Sequence, residues 1–267
     1  MKVTFISFFQ KGYGGGAGRV GHELAEHFAR EYETALICPA EETGLHEGTN
    51  ALKVFGVASA GEGDIKIPRL SVKNIRRIFD FLDEFKPQIV HAHEPALLGL
   101  VGQLWAKMNG AYFVHTSHIL PQKVLDFGAV EVSGLGLLET QFGEKITDQV
   151  LADFYENCDA IIALNEPARE SLRDFGYRGR IFVIPNGRAL EMYQGCRITD
   201  IGKEERVLTY IGHLTERKNQ RYLVEVLNKL PSNYSLNLVG KALNPSYERN
   251  LSALISNRDF HNVHFTG

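Results

Sequence analysis

Four groups of residues have the types and spacing to do chemistry. The first is glycine-rich: Gly12, Gly14, Gly15, Gly16 and Gly18 follow the apolar run Val3 to Phe9 and lead into an amphipathic run. Glycines without Cβ let backbone N–H groups approach an anion, and a helix N-terminus adds a favourable dipole there. Gly12, Gly14 and Ala17 also satisfy G-x-G-x-x-A, a pattern too short to separate a phosphate or dinucleotide site from a tight turn. The second group is His91-Ala-His93, two imidazoles on one face of a strand, which would suit a metal if a third ligand were at hand. The third is Glu94, Thr116 and His118, polar residues placed where two strands end. The fourth is Gly212, His213, Arg217 and Lys218, a glycine and cations after the strand VLTYIG. Fixed cations there would stabilise charge growing on a departing anion; the bland alternative is a pair of solvated first-turn side chains.

The elements that must position these groups alternate regularly. Val3 to Phe9 reads as a buried strand, and Ala17, Val20, Leu24 and Phe28 fall on one face of the helix after it. Thr34 to Cys38 and Leu52 to Val57 are further strands, with the stretch between them, through Gly44 to Asn50, reading as loop. Ser71 caps a helix whose apolar face is Ile75, Ile78, Phe79, Leu82 and Phe85, stopped by Pro87. Strands at Gln88 to His93 and Ala111 to Thr116 flank a helix at Leu97 to Met108. Weak periodicity and recurrent glycine mark Ile119 to Lys145 as a loop over the site, before a helix at Ile146 to Asn157. Ala160 to Leu164, a helix capped by Asn165, and Ile181 to Ile184 close the first series. The second series has strands at Arg206 to Gly212, Leu236 to Val239 and Val263 to Thr266, with helices between them. Strand and helix in alternation imply parallel, doubly wound sheets, whose ligands sit beyond the strands' carboxyl ends.

Composition narrows the class. The 267 residues have 44% hydrophobic and 23% charged content and a net charge of -3, ordinary for a globular protein and no basis for nucleic-acid binding. Cys38, Cys158 and Cys196 are too scattered for a disulfide framework or a zinc knuckle. The first apolar run stops at Gln10 and Lys11 without a small-residue cleavage site, so a reduced, cytoplasmic setting is expected. Lys73, Arg76 and Arg77 lie in the early turns of the Ser71 helix, where they oppose its dipole, and Lys66 and Arg69 extend this basic patch. They are either a solvated face or a peripheral contact with an anionic membrane surface or acceptor. No Asp-x-Asp, Gly-x-Ser-x-Gly or Walker-type lysine loop occurs, so the usual machinery of metal-held diphosphates, serine hydrolysis and phosphoryl transfer is absent from the sequence.

Taken in order, the glycine loop, PQIVHAHEP, HTSHILP, CDAIIALNEPARESL, VIPNG and YIGHLTERKN resemble retaining glycosyltransferase family 4 along the whole chain. The resemblance implies a GT-B fold: a doubly wound N-terminal domain at residues 1–195 on the acceptor side, and a partial second Rossmann-like domain at 196–267 on the nucleotide-sugar side. It implies transfer of a sugar from a nucleotide-diphosphate sugar to a glycan, lipid or small-molecule acceptor, with retention, without a metal and with no cofactor beyond the donor. Carried over residue by residue, the amides of Gly15 and Gly16 approach a phosphate, and His118 lies beside the transferred sugar. Lys218 matches the lysine of the basic pair that neutralises the leaving diphosphate, with Gly212, His213 and Arg217 at the same donor phosphates. His93, Glu94 and Thr116 fall on the acceptor side. His213 stands where the family usually has an arginine, so half of the clamp is weaker or comes from Arg217. Ala189 stands where an aspartate is often found. In retaining members the departing phosphate takes the acceptor proton, so no protein nucleophile is demanded.

Family members continue past the position of Gly267 with glutamates that grip the ribose and the sugar, and with a tail helix. On this reading the chain is the larger part of an enzyme, inactive alone, with an exposed apolar edge near Val263 to Phe265. A noncatalytic binding fragment, a GT-B sugar-nucleotide epimerase and an NAD-dependent enzyme using the first loop are the competing readings.

Overall fold

A computed structural model of the chain describes residues 1–12, 15–61, 66–121, 141–188, 194–195, 206–242, 244–257 and 262–266. The expected loop over the site and the linker lie largely outside them. The chain divides into two units, Met1–Ala189 and Leu190–Gly267.

The first unit is a doubly wound sheet. Its strands are β1 (Lys2–Ile6), β2 (Glu33–Ala40), β3 (Gly44–Glu47), β4 (Lys53–Ala60), β5 (Ile67–Pro68), β6 (Ile89–Ala92), β7 (Tyr112–Ser117), β8 (Ala160–Ala163) and β9 (Arg180–Val183). The order is β3-β4-β2-β1-β6-β7-β8-β9, with β5 on β4. All pairs are parallel except those of β3 and β5 with β4. The helices are α1 (Gly15–Phe28), α2 (Val72–Phe85), α3 (Leu97–Asn109), α4 (Gln141–Glu156) and α5 (Glu166–Asp174). Strand order reverses between β1 and β6, so their carboxyl ends form the switch point at which such sheets bind ligands.

Local sequence explains most boundaries. Ser71 Oγ accepts the Asn74 N–H, Asn165 Oδ1 accepts the Ala168 N–H, and Lys86 in the left-handed region (φ 53°) closes α2 before Pro87. Several expectations need correcting. The Gly44 region is strand β3, paired in antiparallel register with β4. Its side chains are exposed or half-buried, so no alternating pattern betrays it. Helix α4 starts at Gln141, ahead of Ile146. Strand β1 ends at Ile6, because the Phe8 N–H turns aside to donate to Glu94 Oε2 at 2.8 Å. On α2 the buried residues are Ile78, Phe81, Leu82 and Phe85, and Phe81 stacks on Phe55 of β4. On α1 the fully buried stripe is Gly18, Gly21, His22 and Ala25, with the larger apolar residues only half-buried beside it. Small residues there let the helix settle close to the sheet: a Cβ on Gly21 would lie 3.3 Å from Cγ of His93.

The core between α2, α3, α4 and the sheet is built on Leu82, Leu98, Trp105, Phe113, Phe154 and Tyr155. Each such side chain contributes about 1.5–3 kcal/mol through burial. At the start of α3 a Cβ at Gly99 would meet the backbone oxygen of Glu94 at 2.7 Å, so only glycine allows the turn from β6 into that helix.

The second unit has three parallel strands, β10 (Arg206–Ile211), β11 (Tyr234–Val239) and β12 (Val263–Phe265), in that order, with helices α6 (Gln220–Leu227) and α7 (Pro245–Asn257). Leu214, Val224, Leu227, Leu236, Leu238, Leu251 and Val263 form its core. The expected apolar edge is present at Phe265, which is 39% exposed, and a larger one lies on β10. Val263 is 9% exposed, whereas Val207, Leu208 and Ile211 of β10 are 41%, 40% and 78% exposed. Among the described residues β10 has a strand on one side only, and both its faces are open.

Candidate active site

The residues that end β1, β6 and β7 converge. Phe5, His91 and His93 share one face, since Phe5 pairs with His91 in register and His93 is two residues on. His91 pairs with Val114, so Thr116 and His118 stand diagonally across the strands from His91 and His93. Two cross-strand bonds result: His91 Nε2 lies 2.7 Å from Thr116 Oγ1, and His93 Nδ1 lies 2.9 Å from His118 Nε2. The three rings stack, His91 on His93 at 4.7 Å and His93 on His118 at 5.2 Å. On the opposite face His115 Nδ1 lies 3.1 Å from the Ala92 carbonyl, and its ring meets Phe154 edge-on.

Burial makes this array neutral. It lowers His91 to about 3, His115 to about 3 and His118 to about 4, and it holds His93 well below the ordinary imidazole value, with the neighbouring imidazoles adding to the effect. Glu94 is displaced the other way: burial lifts its carboxyl to about 8, only partly offset by the Phe8 N–H. At neutral pH it is a carboxylic acid whose Oε1 has no partner. His93, Glu94 and Thr116, expected on the acceptor side, are 1%, 6% and 4% exposed. Their side chains brace the strand ends from beneath, and His118 is the one left half-buried at the surface. The metal reading of His91-Ala-His93 finds no third ligand: among the described residues no three His, Cys, Asp or Glu gather as a metal site.

Gly15 and Gly16 open α1, with Gly16 exposed and nothing within 4 Å of where its Cβ would be. Three contacts that the sequence does not announce hold this corner. His22 Nε2 lies 2.8 Å from the Phe9 carbonyl, Ser7 Oγ accepts the Phe9 N–H at 3.2 Å, and Arg188 donates to Glu23 at 2.8 Å across 165 residues. His22 is the nearest of these to being legible, as a polar residue in the middle of an apolar helix face.

The second unit carries the cations. After β10 the chain passes Gly212 and His213 into a 3-10 turn at Glu216–Lys218, with Arg217 and Lys218 both exposed. A fully buried Gln220 braces it: Nε2 donates to the His213 carbonyl at 2.9 Å, and Oε1 accepts from the Thr215 N–H at 3.2 Å and from the Tyr247 hydroxyl at 2.9 Å. Leu214 is locked into the core, and Asn219, at φ 53°, ψ 44°, closes the turn by donating its N–H to the Glu216 carbonyl. The cations therefore stand on a fixed backbone while their charges remain in water. Nothing in the local sequence singles out Gln220, which reads as an ordinary first-turn residue.

The Glycosyltransferase Family 4 model matches residues 14–191, about two thirds of the chain. Among solved structures, the whole chain superposes on 69% of Anabaena HepE, solved with UDP, at TM-score 0.71 and 18% identity. It also superposes on 68% of the lipopolysaccharide outer core galactosyltransferase WaaB in its apo form, at TM-score 0.63 and 16% identity. A third likeness is to the UDP-GlcNAc 2-epimerase from Neisseria meningitidis bound to UDP-GlcNAc, with 72% of that chain covered at TM-score 0.54 and 16% identity. No curated protein is a sequence match. At these identities the superpositions establish the GT-B type of α/β fold, and the match over residues 14–191 establishes that the chain belongs to glycosyltransferase family 4.

Proposed function

We propose that the chain serves a retaining glycosyltransferase that moves a sugar from a nucleotide-diphosphate sugar to a glycan, lipid or small-molecule acceptor, without a metal ion. The observation that carries this reading is the braced turn bearing Arg217 and Lys218 at a parallel strand's carboxyl end, in a chain of this family. Breaking the bond between sugar and diphosphate builds negative charge on phosphate oxygens, and cations already fixed there stabilise the transition state more than the ground state. Lys218 is the principal such group, with Arg217 in the role His213 leaves open and Gly212 giving the backbone room. The first-turn amides at Gly15 and Gly16 have no acceptor within the helix, as at any helix N-terminus, which suits them to a phosphate. His118 stands beside the sugar, on a support of His93, Glu94 and Thr116. The departing phosphate takes the acceptor proton, so the neutral imidazoles need not act as bases.

The HepE structures with UDP and with UDP-glucose favour a uridine donor. For the acceptor side, Arg69, Lys73, Arg76 and Arg77 are exposed around Val72, itself 85% exposed, an arrangement suited to an anionic lipid surface. No helix among the described residues is long and apolar enough to cross a membrane.

The test is titration of the protein with UDP-glucose in EDTA, followed by NMR of the product's anomeric centre. Saturable binding at about millimolar or tighter, weakened by Lys218→Ala, is expected of the chain itself, and a product with the donor's configuration of a complete version of the enzyme. Binding that requires a divalent ion, an inverted product, or a donor epimerised without transfer overturns the reading.

A further inference from the structure

His93 is buried beneath α1 and makes one side-chain hydrogen bond, Nδ1 to His118 Nε2 at 2.9 Å. Its other nitrogen, Nε2, is buried without a partner. Gly21 closes over the ring, and His91 and His118 lie nearly parallel to it, at 22° and 18°. Burial keeps both members of the pair neutral at physiological pH, so a single hydrogen lies between them. There are two ways to place it.

If His118 donates from Nε2, His93 must carry its own hydrogen on Nε2, and a buried N–H is left with no acceptor. If His93 donates from Nδ1, its Nε2 is a bare lone pair in an apolar surrounding. Orphaned buried N–H groups are the rarer and costlier of the two. The second arrangement then fixes the partner: with His118 Nε2 accepting, the hydrogen of that imidazole sits on Nδ1. Resting on the glycosyltransferase reading, we infer that His93 is a positioning residue that holds His118 in the Nδ1–H form, so that His118 offers the sugar a hydrogen-bond donor and cannot serve as the base.

This separates two roles a site histidine could play. A base needs an open lone pair, and both nitrogens of His118 are committed, one accepting from His93 and one already bearing hydrogen. A donor aimed at a sugar hydroxyl needs a fixed ring and a fixed tautomer, which the stack and the bond supply. The diagonal from β6 to β7 does this only in the observed register, since a slip of one residue would turn His93 to the other face.

The experiment is 15N NMR of histidine-labelled protein at pH 7, with His118 assigned by its loss in His118→Gln. The expected spectrum has His118 Nδ1 as the protonated, pyrrole-type nitrogen and Nε2 as the pyridine-type one; a protonated Nε2 overturns the inference whether or not the protein transfers sugar. Two variants add the kinetic side. His93→Asn keeps an N–H where Nδ1 stood, and His93→Leu removes it. His93→Leu should lower kcat by about ten- to a hundredfold with little change in donor KM, and let His118 sample both tautomers. His93→Asn should recover most of that loss and restore the single tautomer. Equal behaviour of the two variants would assign His93 to packing alone and defeat the proposal. Should His93→Leu fail to fold, the wild-type and Asn spectra decide it, and an inactive wild type with the expected tautomer counts against the transferase reading only.

Discussion

The strand ends of the two units solve opposite problems. In the first unit the groups at and beside the ends of β6 and β7 are buried or half-buried and neutral, five imidazoles counting His22 of α1 and one carboxylic acid, each with one polar atom hydrogen-bonded and, in His93, His115 and Glu94, the other buried without a partner. In the second, Arg217 and Lys218 are exposed while the backbone beneath them is pinned by the buried, uncharged Gln220. Burying those cations would cost several kcal/mol each and drive the lysine toward its neutral form. Rigidity is thus obtained in one place by stacking neutral rings and in the other by anchoring backbone under exposed charge. A site that must meet a diphosphate needs the second design, and one that must orient a neutral sugar can use the first.

The largest way to break this contrast is acid. Each imidazole binds protons more weakly folded than unfolded, so its contribution to stability is present above 6.5 and lost as pH falls toward the folded values of about 3 to 4. Glu94 runs the other way: its contribution is present below 4.5 and lost as pH rises through about 8. One unit of displacement is worth about 1.4 kcal/mol per group, and the imidazoles outnumber the carboxyl. The first unit should therefore lose on the order of several kcal/mol between pH 7 and 5, and slope more gently downward from 7 to 9. Urea unfolding followed by the fluorescence of Trp105, the chain's single tryptophan and 3% exposed, measures both limbs. Glu94→Gln keeps an acceptor for the Phe8 N–H and should abolish the alkaline slope while steepening the fall from 7 to 5, which the carboxyl opposes. A flat profile from 7 to 5 would mean that water reaches the rings and that the first unit is not dry.

The second test is on the charged side. In a complete version of the enzyme, Lys218→Ala should lower turnover by about two to three powers of ten while weakening donor binding much less, because the charge it meets grows during bond breaking. Turnover with and without the lysine, extrapolated to saturating donor, measures it. An unchanged kcat would return Lys218 to the solvated surface.

Much of this contrast is legible in the sequence, and the illegible part has a common cause. Periodicity and capping residues such as Ser71 and Asn165 placed the helices, and parallel alternation put His93, Glu94, Thr116 and His118 at strand ends. Local signals reach only that far. Whether a strand-end residue faces solvent or lies beneath a helix depends on register and on helix depth, here set by the His91 to Val114 pairing and by Gly21. Hence His93 could be located but not recognised as buried. Strand β3 escapes because three of its four residues are exposed, and Gln220 because its partners His213 and Thr215 lie in the loop before it and Tyr247 in a separate helix.

Gln220 itself gives the third test. Replacing it with Leu leaves the His213 carbonyl, the Thr215 N–H and the Tyr247 hydroxyl without their partner, and should cost the second unit about 2–3 kcal/mol. Turnover should fall by about tenfold as the cations lose their fixed support. Denaturant unfolding of the second unit beside donor kinetics reads both. Full stability with normal turnover would show that Leu214 and the core hold the turn alone.

The smallest expected effect is the sharpest check on where the rigidity resides. Asn219 sits in the left-handed region immediately after Lys218, a conformation that asparagine tolerates and glycine adopts freely. Asn219→Gly relieves the native strain but adds freedom to the unfolded chain, and these oppose each other, leaving stability within about 0.5 kcal/mol of wild type. The Asn219 side chain caps nothing, so turnover should be unchanged. Asn219→Val keeps a side chain of similar size but is β-branched and resists φ near 53°; it should cost about 1–2 kcal/mol and pull Lys218 off its position. If the backbone conformation is what aims the cations, kinetics will follow the order Gly equal to Asn, then Val well below. If Gly and Val lower turnover alike, the asparagine side chain is itself part of the site, and the division between buried neutral support and exposed charge fails at that turn.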